Sequence, residues 1–181
     1  LIAIASLSAI GVQGAVFQMV SHGLISALMF LIVGSLYERT STTELAKLGG
    51  FAKSMPFISG MLLVAGMASL GLPGLSGFVS EYLSFLSLFD AMPVLTAIGC
   101  LGIILAAVYV LRGVLSITFG QATEQSLAYK DARLVEALPM IALTAFIVLI
   151  GLYPAVLSEP LQSTIQGIEQ WLLGAEAIKG G

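Results

Sequence analysis

One acidic residue, Glu81, stands in a long uncharged part of the sequence and follows a segment that should break a helix. The nearest charged residues are Lys53 before it and Asp90 after it. Proline lacks a backbone N–H, and glycine adopts conformations that end or restart a helix. Broken helices of this kind mark ion or substrate sites in membrane transporters. The sequence therefore predicts an ion site at Glu81, beside a helix break formed by Gly71, Pro73, Gly74 and Gly77.

The neighbours of Glu81 on a helix indicate what its carboxyl group could do. At helical spacing Glu81 shares a face with Gly77, Ser84 and Leu88, which makes a small and polar stripe around the carboxyl group. An acidic residue in the centre of a membrane costs about 2.5–3.5 kcal/mol on insertion scales, so its presence favours a function. We predict reversible protonation of Glu81, with Ser84 in a supporting role. The alternative is a structural carboxylate that is paired or solvated near an interface.

A second polar stripe contains the single histidine. Gln18, His22 and Ser26 recur every four residues within an otherwise apolar segment, and therefore lie on one helix face. An imidazole can change its charge near neutral pH, so His22 could relay protons with Gln18 and Ser26 in support. A neutral histidine could equally hold two helices together by hydrogen bonds. The stripe alone leaves both interpretations open.

Arg112 is the remaining charged candidate, near the end of an apolar segment. A long cationic side chain commonly extends to the membrane interface, and this explains Arg112 adequately. The alternative is a supporting role as the partner of a carboxylate.

The composition shows what kind of molecule must position these residues. Of 181 residues, 58% are apolar and 9% are charged, whereas a soluble domain carries about 25% charged residues. A net charge of −3 without a basic patch excludes nucleic-acid binding. A single cysteine and a single histidine exclude a disulfide framework and a metal site. The prediction is an all-α, polytopic membrane helix bundle.

Uncharged segments long enough to cross a membrane, about 20 residues each, give the expected boundaries. We predict a transmembrane bundle over 1–157 and an amphipathic C-terminal helix and tail over 158–181. Gly11 to Gly14 divides the first uncharged segment in this prediction. The bundle then consists of a partial helix at 1–10 and helices at about 14–37, 54–89 (broken near 71–77), 91–119 and 136–157. Leu1 opens directly into apolar sequence, so we expect the numbering to begin inside a larger polypeptide.

Two loops carry most of the charge. With four crossings, the loops 38–53 and 120–136 lie on the same side of the membrane. Together with Arg112 at that end, they hold six of the seven basic residues. Because cytoplasmic loops are enriched in lysine and arginine, both loops are predicted to be cytoplasmic.

Two long motifs resemble a known family. Residues 14–40 read GAVFQMVSHGLISALMFLIVGSLYERT, and residues 70–82 read LGLPGLSGFVSEY. Both resemble the M-subunit family of bacterial respiratory complex I, which has counterparts in mitochondria, cyanobacteria and chloroplasts. The resemblance extends over nearly the whole chain and implies the C-terminal portion of an antiporter-like subunit.

The resemblance implies a function beyond what composition shows. Members of this family translocate protons within NADH-quinone oxidoreductase, driven by quinone reduction elsewhere in the complex. His22 matches the family's central histidine, and Glu81 matches the carboxylate of its second broken helix. No cofactor is expected in this chain, while NADH, flavin, iron–sulfur clusters and quinone belong to other subunits. The expected partners are the lipid bilayer and other membrane subunits, especially neighbouring antiporter-like ones, in a bacterial inner membrane.

Two alternatives remain from the sequence. The multisubunit cation/proton antiporters share the fold, but their histidine helix usually continues with a lysine-containing signature where this chain has residues 24–27, LISA. A non-conducting membrane scaffold is compatible with the apolar composition. A broken helix and a buried acid argue against a scaffold, because both features lower stability without improving packing.

Overall fold

A computed structural model describes residues 2–179, with side chains described as far as residue 168. The described residues form helices and connecting loops. The helices are α1 (Ile2–Ala5), α2 (Ala9–Thr40), α3 (Pro56–Ser69), α4 (Ser76–Ala91), α5 (Pro93–Phe119), α6 (Glu124–Ala128), α7 (Leu134–Leu152) and α8 (Ala155–Lys179), with a 3-10 turn at Leu45–Lys47. Three of them, α2, α5 and α7, are long and apolar enough to cross a membrane.

The start of the second helix differs from the sequence prediction of helices at 1–10 and 14–37. The chain is interrupted at residues 6–8, where Leu7 has a positive φ of 50°. The Ser8 side chain then accepts a hydrogen bond from the Gly11 amide at 3.0 Å and so caps α2. Gly11 and Gly14 lie inside α2, so the division predicted between them was wrong.

Gly14 has a packing role instead. A Cβ atom at this position would lie 2.9 Å from the backbone nitrogen of Ser84 in α4. Glycine therefore permits the close approach of α2 and α4, as small residues do between membrane helices.

The broken helix is present, and α2 packs against both of its halves. Residues 70–75 are non-helical between α3 and α4, with φ values of 66° at Gly71 and 93° at Gly74. Pro73 lies between them. Gly77 belongs to the first turn of α4, so its assignment to the break was wrong. It packs directly against the Ala68 carbonyl group, where a side chain would not fit.

The end of the bundle also differs from the sequence prediction. Helix α7 ends at Leu152, and α8 begins at Ala155, so the predicted boundary after residue 157 was wrong. Pro154 has no backbone N–H to donate and therefore cannot continue α7. The last residues of the predicted 158–181 segment, 180 and 181, lie outside the described residues.

The core lies between α2, α3 and α7, on the side of the break nearer the two charged loops. Its members share nearly complete burial: Leu28, Ile32, Phe51, Met55, Ile58, Met140 and Ile147. Much of the outer surface of α5 is apolar and exposed, including Leu105 and Tyr109.

Arg39 ties the two charged loops together at one end of the bundle. Its guanidinium group donates to both carboxylate oxygens of Glu136, at 3.0 and 2.8 Å. It also donates to three carbonyl oxygens, those of Ser35 at 2.7 Å, Lys130 at 2.8 Å and Asp131 at 3.2 Å. The Arg39 and Glu136 side chains are each only 13% exposed. This pair therefore fixes the end of α2 to the start of α7.

Asp131 joins the broken helix to the same cluster. Its carboxylate accepts hydrogen bonds from the backbone amides of Phe57 at 2.7 Å and Ile58 at 3.2 Å. Amide groups in the first turn of α3 have no acceptor within the helix, and Asp131 supplies one. Its negative charge also interacts favourably with the helix dipole at this end.

We predict that Arg39→Ala in the complete protein lowers the free energy of unfolding by about 3 kcal/mol, the lower end of the range for a broken buried ion pair. The buried Glu136 carboxylate then loses its Arg39 partner but keeps the bonds that Arg133 donates, from its backbone amide at 2.7 Å and from its exposed guanidinium group at 3.4 Å. The midpoint of thermal unfolding in detergent would measure this loss. Lys47→Ala is the control, since Lys47 pairs with Glu44 at 2.8 Å while both side chains are more than 60% exposed. That pair should contribute about 0–1 kcal/mol. Equal losses in the two variants would contradict the anchoring role of Arg39.

Candidate functional site

Glu81 lies in the second turn of α4, half-buried, with its carboxyl group against the helix break. A Cβ atom at Gly71 would lie 3.0 Å from the carboxyl carbon of Glu81 and closer still to its Oε2 atom. The positive φ of Gly71 turns the chain at this point. The break and the carboxyl group are therefore in direct contact.

The carboxyl group also faces an open space, which we call the Glu81 cavity. This cavity has a volume of about 650 Å³. It is lined by residues of α1, α2 and α4, namely Ile2, Ala3, Ile4, Ala15, Gln18, Met19, Glu81, Ser84 and Phe85. Glu81 is the only titratable side chain in this lining. Among the described residues, no side chain forms a hydrogen bond or an ion pair with it.

Gln18 and Ser84 join Glu81 in this cavity. The Ser80 hydroxyl group bonds to the Gln18 Oε1 atom at 2.6 Å and so links α4 to α2. Ser84 donates to the Ser80 carbonyl oxygen at 2.7 Å. Of the residues that the sequence singled out, the structure thus brings together Glu81, Gln18 and Ser84.

His22 and Ser26 line a different cavity. Its volume is about 220 Å³, and Ser69, the last residue of α3, lies in the same lining. The Nε2 atom of His22 is 3.4 Å from the Ser26 hydroxyl oxygen. The polar stripe of α2 therefore divides, with Gln18 facing the Glu81 cavity and the other two residues facing the end of α3.

Arg112 takes part in neither cavity. It is exposed on α5, and its side chain makes no hydrogen bond or ion pair with the described residues. The arrangement therefore offers no contact between Arg112 and Glu81.

Sequence reasoning missed two serine contacts that hold α4 in place. The hydroxyl groups of Ser21 and Ser76 lie 2.8 Å apart and are buried between α2 and α4. Ser80, fully buried, makes the bond to Gln18. Serine at 76, 80 and 84 recurs every four residues, and this spacing was the available signal for a polar face toward α2. No group of three or more potential metal ligands occurs among residues 2–168, whose side chains the structure describes.

Comparison with known proteins assigns the chain to a family. Residues 1–106 match the model described as "NADH:quinone oxidoreductase/Mrp antiporter, TM". The chain belongs to this family.

Individual relatives agree with this assignment. NADH-quinone oxidoreductase subunit M of Rickettsia felis is 39% identical over 168 residues, which are 92% of this chain and 34% of the relative. The Pseudomonas aeruginosa subunit M is 35% identical over 182 residues, covering 100% of this chain and 35% of the relative. The chain thus spans about a third of the length of the curated relatives it matches. The predicted resemblance to M subunits is confirmed.

Solved structures confirm the all-α membrane bundle. Respiratory complex I from Thermus thermophilus matches with a TM-score of 0.88 and 28% identity, over 94% of this chain and 36% of that one. The Mrp complex from Dietzia matches with a TM-score of 0.75 over 92% of this chain and 38% of that one. At 20% identity, this second likeness shows the fold alone.

We predict that Gly71→Ala makes Glu81 react faster with a hydrophobic carbodiimide, as measured by mass spectrometry on the complete protein. The added methyl group would push the carboxyl group away from the break and into the cavity. Gly74→Ala is the matched control. Its φ is also positive, but its Cβ would meet only Leu152, at an ordinary 3.7 Å. Equal rates in the two variants would show that the contact with Gly71 does not hold the carboxyl group.

Proposed function

We propose that the chain forms part of a proton-translocating membrane subunit of NADH-quinone oxidoreductase, in which Glu81 takes up and releases the proton. The observation that carries this proposal is the Glu81 carboxyl group, placed between a helix break and a cavity without an ion-pair partner among the described residues. A buried carboxyl group that serves only packing is normally paired or hydrogen-bonded. The names of the M-subunit relatives support the same function.

The geometry suggests how the residues would share this task. Glu81 holds the proton, while Gln18 and Ser84 offer hydrogen bonds to the carboxyl group or to water in the same cavity. His22, with Ser26 beside it, lines the second cavity at the end of α3. A proton that moves between the two cavities would pass the non-helical residues 70–75. Backbone of this kind is tolerated at membrane depth where it lines a hydrated cavity or is buried in protein.

A subunit of a multisubunit cation/proton antiporter is the second candidate. The family description includes these antiporters, and the Dietzia Mrp complex shares the fold. The M subunits of two species are 39% and 35% identical to this chain, whereas the Mrp likeness is 20%. Sequence similarity thus favours the oxidoreductase. A non-conducting scaffold gives no account of a carboxyl group that lies at a helix break without a partner among the described residues.

This assignment implies partners and a location. The chain would act with other membrane subunits, above all neighbouring antiporter-like ones, in a bacterial inner membrane. NADH, flavin, iron–sulfur clusters and quinone would be bound by other subunits, whose quinone reduction drives proton transfer. The exposed apolar face of α5 is suited to lipid or to such neighbours.

We predict that Glu81→Gln in the assembled complex reduces proton pumping by about tenfold or more, because it removes a group that transfers protons. Quinone reductase activity should fall with it where the two processes are tightly coupled. Glu81→Asp should retain more activity, since it keeps the carboxyl group on a shorter side chain. His22→Ala should do less harm than Glu81→Gln, because water can bridge the gap left by an imidazole.

Pumping must be normalised to the amount of assembled complex, since damage to helix packing would mimic lost proton transfer. A correctly assembled Glu81→Gln variant that pumps at the wild-type rate would show that this carboxyl group is structural.

The sidedness of the loops gives a further prediction. On a Cys100→Ala background, single cysteines at Thr43 and Gln125 should resist an impermeant thiol reagent added to intact cells, since both residues lie in the loops proposed to be cytoplasmic. A cysteine at Asp90, in the last turn of α4 near its connection to α5, should be labelled. The opposite pattern would reverse the orientation.

A further inference from the structure

We propose that Ser80 is a positioning residue whose hydroxyl group selects which end of the Gln18 side-chain amide faces the Glu81 cavity. The amide would then donate a hydrogen bond to an ionised carboxylate and accept one from a protonated acid. This inference rests on the proposed function of Glu81 and adds a hydrogen-bond switch to it.

The Ser80 hydroxyl group has two acceptors within reach. Its Oγ atom is 2.6 Å from the Oε1 atom of Gln18 and 2.8 Å from the carbonyl oxygen of Gly77. The side chain is fully buried, so water does not compete at this point. Because a hydroxyl group carries one hydrogen, it can make a good hydrogen bond to only one of these oxygens at a time.

Two complete arrangements follow. In the first, Ser80 donates to the Gln18 Oε1 atom, and the amide NH₂ group is left free to donate elsewhere. In the second, Ser80 donates to Gly77, and the amide turns over so that its NH₂ group donates to the Ser80 oxygen. The Gln18 oxygen is then free to accept. In both arrangements the Ser80 hydroxyl hydrogen has an acceptor, and the two differ by a rotation of that hydroxyl group and of the Gln18 terminal amide.

The free end of the amide matches the two states of Glu81, which lines the same cavity. An ionised carboxylate only accepts hydrogen bonds and is suited to the free NH₂ group, whereas a protonated acid can donate and is suited to the free oxygen. The structure holds no hydrogen bond between Gln18 and Glu81, so the inferred switch needs a movement of the side chains within their shared cavity to bring the free end of the amide to the carboxyl group.

The charged and titratable groups on the neighbouring helices lie elsewhere, so Gln18 is the polar side chain of α2 that faces the Glu81 cavity. His22 on α2 lines the second cavity, and Arg112 is exposed on α5. Arg39 and Glu136, at the ends of α2 and α7, bond to each other at the loop end. On α4 itself, Asp90 is exposed in the last turn.

The test uses Ser80→Ala, Gln18→Leu and the double variant, each in the complete protein within the assembled complex. Each single change should reduce proton pumping by about two- to tenfold, the range expected for one hydrogen bond. The double variant should pump no more slowly than the slower single variant, because both changes remove the same Ser80–Gln18 hydrogen bond. Ser87→Ala is the control: Ser87 is buried on the same helix, but its hydroxyl group bonds only to the Ser84 carbonyl oxygen at 2.9 Å.

Infrared spectroscopy supplies a readout that a packing defect would not move. The C=O stretching band of protonated Glu81, identified by its loss in Glu81→Gln, should shift to higher wavenumber in Ser80→Ala and stay in place in Ser87→Ala. An unmoved band in Ser80→Ala, or multiplicative losses in the double variant, would overturn the switch. If Glu81→Gln itself pumps normally, the proposed function fails instead.

Discussion

A helix that stops inside an apolar bundle leaves backbone groups that lipid cannot bind, and this constraint organises the structure around residues 70–75. Turn-type hydrogen bonds satisfy part of this backbone, from the Leu72 amide to the Met67 carbonyl and from the Leu75 amide to the Leu72 carbonyl, both at 3.1 Å. Helix α2 remains unbroken beside the gap and contacts both α3 and α4. It therefore acts as the support that keeps the two half-helices in register.

The contacts that provide this support are polar or involve small residues. Between helices in lipid, apolar side chains gain little from leaving the surrounding hydrocarbon, so close packing and hydrogen bonds must hold the bundle. Gly14 allows α4 to pack closely against α2. Gly66 likewise leaves room for Val114 of α5, because a Cβ atom at Gly66 would lie 2.9 Å from the Val114 Cγ2 atom. A bond between the Ser21 and Ser76 hydroxyl groups and one from Ser80 to Gln18 then fix the orientation of α4 on α2.

Local patterns in the sequence were sufficient to predict the all-α class, the break and the place of Ser84 beside Glu81, whereas Gln18 was grouped with His22 instead. These patterns failed where one residue type can have two structural roles. Glycine can end a helix, or it can let a neighbouring helix pack closely. Gly14 has the second role because it packs against the Ser84 backbone, which is distant in the sequence. The loop charges look like ordinary solvated residues, yet Arg39 and Glu136 are 97 positions apart and bond almost out of contact with solvent. Such pairs depend on the tertiary fold and produce no periodic pattern in the sequence.

The structure is densely hydrogen-bonded at one end and irregular in the middle. Five hydrogen-bonded oxygens hold Arg39, and Asp131 of the same cluster caps α3, so the loop end of α2, α3 and α7 behaves as one unit. Beside Glu81 the chain has two glycines with positive φ and no regular helical bonding. Under the proposed function, a change in the charge of Glu81 would act first on residues 70–75, because its carboxyl group lies against Gly71. The Glu81 carboxyl group thus lies against the least regular backbone of the bundle, while the loop end is held by the bonds of Arg39.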